Sequence, residues 1–189
     1  MGKLLTSINK VQREFIENQK MFFVATAAPE GTVNLSPKGM DSLKVIDENT
    51  VAWLNVTGSG NETSAHVQQN HRMTIMFCAF KDKPLILRLY GQARAVHQAD
   101  SQWSDLYGLF EPLAGARQIF VVKVEHTQSS CGMGVPLFDF VGQREDLNQS
   151  HQRKSKRQIE DYWKKANQQS IDGYDTNILS LSGLDQNQG

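Results

Sequence analysis

Ser59, Asn61 and Thr63 stand within seven residues, Thr57-Gly-Ser-Gly-Asn-Glu-Thr63, and all three carry side-chain hydrogen-bond donors. The apolar run Val51-Ala-Trp-Leu-Asn-Val56 leads into them, and a helix-like segment follows to about Gln69. Strand, glycine turn and helix start bring free backbone N–H groups and a positive helix end to one point. Such a point binds anions, and phosphate suits it best. A second polar interruption, Asn34-Leu-Ser-Pro-Lys-Gly39, supplies Lys38, a compact charge suited to phosphate. Asn61 or Ser59 would serve equally as an ordinary helix N-cap. Neither standard nucleotide fingerprint is present: Thr63 stands where a third glycine belongs, and no Walker lysine follows.

Other reactive residues are dispersed. His66 and His71 are five apart and do not share a helix face as i, i+4 ligands would, so no metal site is expected. Cys131, in Ser130-Cys-Gly-Met-Gly-Val-Pro136, reads as a reactive thiol or as a small residue in a turn. No Gly-x-Ser-x-Gly elbow occurs. Arg88, between Leu87 and Leu89, must find a partner charge, a ligand or the end of a barrel. With no nucleophile–base pair in view, chemistry here would fall to a bound cofactor.

The elements that must position these groups follow from periodicity. Leu4, Ile8, Val11 and Phe15 predict an amphipathic helix over about 3–18. Strands are predicted at 21–27, 32–36, 43–46, 51–56, 73–80, 85–96 and 118–125, with turn chemistry such as Pro29-Glu-Gly31 between them. Gly91 marks a bulge or close approach. A short helix is expected at about 99–110. Many strands joined by short turns argue for an antiparallel sheet closed into a barrel, with helices at its ends. Behind the basic run Arg153, Lys154, Lys156 and Arg157, the residues Ile159, Tyr162, Trp163 and Ala166 form a helical docking face. The run itself reads as a solvated face, and 185–189 as loose.

Bulk properties set the limits. The 189 residues suffice for one domain, with the helix at about 3–18, the barrel at about 20–145, and a C-terminal helix and tail at about 146–168. Lys plus Arg equals Asp plus Glu, 20 against 20, so no global field favours nucleic acid or membrane. Two distant cysteines and no signal-like start suit a cytoplasmic protein with reduced thiols.

Taken together, Asn34–Gly39, Trp53–Thr63, Asn70–Phe77, Leu89-Tyr-Gly91 and Ser130–Pro136 resemble the pyridoxamine 5'-phosphate oxidase-like proteins, over about 10–145. The likeness is to the oxidase-related subgroup with Ser-Pro-Lys-Gly early and Ser-Cys-Gly-x-Gly-Val-Pro late. It implies an antiparallel split β-barrel of the FMN-binding type, mainly β with flanking helices. It also implies a homodimer with FMN at the subunit interface and a small-molecule substrate or electron donor. By position, Leu35, Ser36 and Pro37 would run along the flavin ring and Lys38 would close the first FMN strand. Asn61 and Thr63 would meet the phosphate, with Asn55 and Ser59 from the same stretch beside them. Arg88 and the Cys131 turn would complete the site, the latter by shape rather than thiol chemistry. The apolar strands 73–80 and 85–90 and the 159–166 face would supply the dimer surface.

The chain departs from the oxidases at Val33, where they have arginine, and at Asn61-Glu-Thr63, where they have Ser-Arg-Lys. Their late Arg-x-His substrate clamp is absent. The resemblance therefore implies a flavin-dependent oxidoreductase other than the oxidase of pyridoxamine phosphate itself. The alternative is a split-barrel protein that holds flavin or haem without turnover.

Overall fold

A computed structural model describes residues 2–185. Its elements in chain order are β1 (Lys3–Leu5), α1 (Lys10–Asn18), β2 (Phe22–Ala27), β3 (Val33–Lys38), β4 (Leu43–Asp47), β5 (Thr50–Val56), α2 (Glu62–Gln69), β6 (Arg72–Cys78), β7 (Ile86–His97), α3 (Trp103–Tyr107), β8 (Ala116–Ser130), α4 (Asp146–Gln152), α5 (Lys156–Ala166) and α6 (Ile178–Leu181). The eight strands form one antiparallel sheet in the order β3-β2-β6-β7-β8-β5-β4, and β1 adds to the far end of β8. Its two edges, β3 and β4, are consecutive in sequence and joined by only residues 39–42. The sheet must therefore curl until its edges meet, yet no ladder joins β3 to β4. The barrel stays split along that seam.

Alternation explains the curl. Val24, Ile75, Phe77, Leu87, Leu89, Phe120, Val122 and Val124 are buried at period-two positions and fill the barrel with Phe22 and Trp53. Trp53 stacks on Phe120 at 5.0 Å and meets the edge of Phe22 at 6.3 Å. Strand β5 is buried on both faces, because Ala52 and Leu54 turn outward under Phe110 and the α3 segment. At Gly91 the β7–β8 register shifts, and a Cβ there would run into the Lys123 carbonyl, so the bulge expected at this glycine is a close approach as well.

Several expectations need correction. The first helix begins at Lys10, not near residue 3. Lys3–Leu5 instead pair with Thr127–Ser129 of β8. Asn9 caps α1 reciprocally with Gln12, and buried Gln12 bonds Thr127 Oγ1. Leu4 and Val11, 59% and 71% exposed, gave the sequence its helical period without packing on anything. The helix near 99–110 shrinks to one turn, β8 runs five residues further than expected, and the C-terminal helix is two helices, α4 and α5. The α5 face does dock, but within the chain: Ile159 and Trp163 pack with Ile178. Strands β6 and β7 likewise bury Met73, Ile75, Leu87 and Leu89 inside one chain. Exposed apolar surface lies elsewhere, on Val33 and Leu35 of β3, 74% and 62% exposed, and on Leu137, Phe138, Phe140 and Val141. Of the end expected to be loose, 186–189 lie outside the described residues.

Candidate functional site

At the barrel end beside the seam, Lys38, Gly39, Trp53, Asn55, Thr57, Gly58, Gly60 and Arg117 line a cavity of about 210 Å³, which Leu147 borders from outside. Two motifs far apart in sequence, the end of β3 and the turn after β5, thus meet. The Lys38 ammonium lies 5.2 Å from the centre of the Trp53 ring, a cation–π contact for a half-buried charge. Burial pulls the Lys38 pKa down, and the nearby Arg117 guanidinium pulls it down further against the opposing pull of Glu62.

Arg117 opens β8 and is only 3% exposed. Its guanidinium donates to the Gly60 carbonyl at 2.8 Å and to the Gly58 carbonyl at 3.5 Å, while its buried Nε has no protein partner. No carboxylate among the described residues lies within ion-pair distance of Arg117 or Lys38. Burial lowers the Arg117 pKa to about 10, against the raising influence of Tyr162 and Glu62, so it stays charged at neutral pH. Two cations thus face one small cavity without a neutralising ion pair. That arrangement suits an anion of phosphate size.

The start of α2 is built differently from the expectation. Asn61 sits at the N-cap without capping the helix. Its amide donates to the carbonyls of Ala166 and Gln169, at 2.9 and 2.8 Å. Its backbone N–H donates to the Glu62 carboxylate at 3.0 Å. The Thr63 hydroxyl accepts from Asn34 at 3.0 Å. From the tail, Trp163 Nε1 donates to Thr57 Oγ1 at 2.9 Å, and Asn167 donates to the Gly58 carbonyl at 2.9 Å and to Asn61 at 2.8 Å. Gln68 of α2 donates to the Thr176 carbonyl, and Asp172 accepts from the Thr32 N–H and hydroxyl of the β2–β3 turn. The tail is a clasp over the very turn that the sequence offers as an anion site.

The remaining expected residues divide. Asn55 lines the cavity, whereas Ser59 is exposed on the turn and does not. Leu35 and Pro37 face outward from β3, and Ser36 faces the α2 side, where its hydroxyl donates to Asn34. Because β3 is an edge, part of its backbone is free of partners. Arg88 pairs in register with Gln128, roughly 30 Å along β8 from Arg117 at about 3.3 Å per residue, and donates to Ser130. Cys131 is exposed just beyond, and Cys78 is buried and also unbridged. One chain therefore does not bring Arg88 or Cys131 to the cavity. A larger cavity of about 350 Å³ lies across the 39–42 connection, but Lys44 there is already paired with Asp41. No cluster of three or more potential metal ligands occurs among the described residues.

Sequence reading missed Arg117 because the apolar run seemed to start one residue later, at Gln118. The available signal was a charge abutting a buried strand, the same signal that singled out Arg88.

Comparison with known proteins agrees with this architecture. A sequence profile of the family described as Pyridoxamine 5'-phosphate oxidase matches residues 8–131. The chain is 36% identical over 138 residues to the pyridoxamine 5'-phosphate oxidase family protein ustO of Aspergillus flavus, covering 70% of this chain and 55% of that protein. It thus spans about half the length of this curated relative. Among solved structures, a putative pyridoxamine 5'-phosphate oxidase from Lactobacillus delbrueckii superposes with a TM-score of 0.52 at 17% identity, covering 65% of this chain and 94% of that one. HupZ of Group A Streptococcus does so with a TM-score of 0.51 at 20% identity, covering 65% and 99%. At these identities the structures speak for the fold alone.

Proposed function

Because the chain belongs to the pyridoxamine 5'-phosphate oxidase family, we propose that it binds FMN and acts as a flavin-dependent oxidoreductase, working as a homodimer. The observation that carries this reading is the cavity where Lys38, at the end of β3, meets the turn after β5. The two halves of the motif expected to hold a flavin phosphate line one space. When bound, the flavin supplies hydride transfer. Lys38 would hold the phosphate, and the unpaired edge of β3 near Leu35–Pro37 would offer backbone groups to the ring. Trp53 would keep the ammonium over its face and out of water.

The homodimer follows from size. About 210 Å³ is less than the ~300–1,000 Å³ typical of ligand pockets, so one chain offers room for part of a flavin. A second copy would cover the rest and bring its own Arg88 and Cys131 turn toward the ring. Exposed Val33 and Leu35, on the free edge of β3, suit such a contact.

Holding a flavin without turnover is the second reading. It is favoured by a cavity lining without carboxylate or imidazole among the described residues. The absorption spectrum of the purified protein separates the readings. A flavin spectrum that bleaches anaerobically with reduced nicotinamide supports the oxidoreductase. A flavin spectrum that no reductant of this class bleaches supports the binder. Colourless protein that takes up no added FMN contradicts both.

A further inference from the structure

We propose that Arg117 is the second cation of the phosphate site, so that the anion lies between Lys38 and Arg117 on the barrel side of the Gly58–Gly60 turn. It would not lie at the amino end of α2. The proposal rests on the reading that a phosphorylated flavin binds here. It rests equally on three features of this chain.

Arg117 is buried, lines the cavity, and keeps a buried Nε donor without a protein partner. Its other donors hold the Gly58 and Gly60 carbonyls, which fixes the guanidinium plane relative to the turn. A planar, always-charged fork held in this way is suited to phosphate oxygens. Next, the amino end of α2 already carries an anion of its own. The Glu62 carboxylate accepts from the Asn61 N–H at 3.0 Å and from the Ile171 N–H at 3.4 Å. A phosphate there would meet a like charge. Finally, the clasp formed by Trp163 and Asn167 holds Thr57, Gly58 and Asn61, so the turn cannot readily swing outward to present its donors on the other side. The cations missing from Asn61–Thr63 are replaced by a cation from a different strand.

The experiment is titration of FMN and riboflavin into wild type, Arg117→Gln, Arg117→Lys and Glu62→Gln, with thermal unfolding of each variant and line-broadening of inorganic phosphate by phosphorus NMR. Arg117→Gln should weaken FMN about tenfold or more and leave riboflavin within about twofold. Arg117→Lys should restore part of the loss. Glu62→Gln should tighten FMN, by about two- to fivefold, and not riboflavin, since it removes a nearby like charge without disturbing Arg117. Equal loss of both flavins in Arg117→Gln, or unchanged FMN affinity, would overturn the proposal while leaving flavin binding intact. If Arg117→Gln does not fold, Glu62→Gln decides: weaker FMN binding there overturns it. If wild type binds neither flavin but broadens phosphate in an Arg117-dependent way, the anion site stands and the flavin reading fails. If phosphate is not broadened either, both fall.

Discussion

Lys38 was legible because its chemistry is written locally: a lysine behind Ser-Pro, at the end of a strand, before a glycine. Arg117 was not, because its role depends on β5 and β8 pairing so that Val56 lies against Ala116. Only that register brings the guanidinium under the Gly58–Gly60 turn. A charge-assisted hydrogen bond contributes about 1.5–3 kcal/mol, so Lys38→Ala should weaken FMN by roughly 10- to 150-fold and riboflavin little. Loss of both flavins alike would place Lys38 on the ring or in the fold. His97 offers a test of stability rather than binding. Burial lowers its pKa from 6.5, with Asp100 and Gln118 opposing and Arg117 adding to the fall. The native state then binds fewer protons than the unfolded chain once pH drops below about 6.5, so stability is lost on acidification, by at most about 1.4 kcal/mol per pH unit for this group. Urea midpoints between pH 7 and 5 should fall less steeply in His97→Gln than in wild type. Parallel slopes would show that His97 is not the titrating group.

At the scale of elements, the strands could be read from alternation and turn residues, and six of the seven predicted strands appear within about two residues of their expected bounds. Strand β1 could not, because three residues carry no period and Leu4 fell into step with Ile8 and Phe15. The clasp was hidden for another reason. The stretch after α5 is rich in Asn, Gln, Ser and Asp, which composition reads as solvated, yet Asn167, Ser170 and Thr176 are buried. Their amides and hydroxyls bond backbone groups across the molecule, a relation no local pattern encodes. Trp163, buried and bonded to Thr57, is the centre of that contact. Trp163→Ala should destabilise the fold by about 3–5 kcal/mol, read from denaturant unfolding. A loss under about 1 kcal/mol would mean that the tail lies on the barrel without contributing to it.

At the scale of the molecule, the split barrel is a sheet whose first and last strands are joined by a connection too short to let them part. That topology creates the seam, the seam exposes the edge of β3, and the cavity opens at the end of β3. The family resemblance carried by five short motifs was enough to anticipate this shape. It could not anticipate which surface remains for a partner, since burial of the β6, β7 and α5 faces depends on how one chain packs on itself. Among the described residues no helix is long and apolar enough to cross a membrane. The account turns on a flavin held where two copies meet, and sedimentation velocity followed at the flavin absorption band tests it most directly. With FMN added at micromolar protein, the flavin signal should travel with a species of twice the chain's mass. Flavin sedimenting with the single chain, or remaining unsedimented, would contradict it.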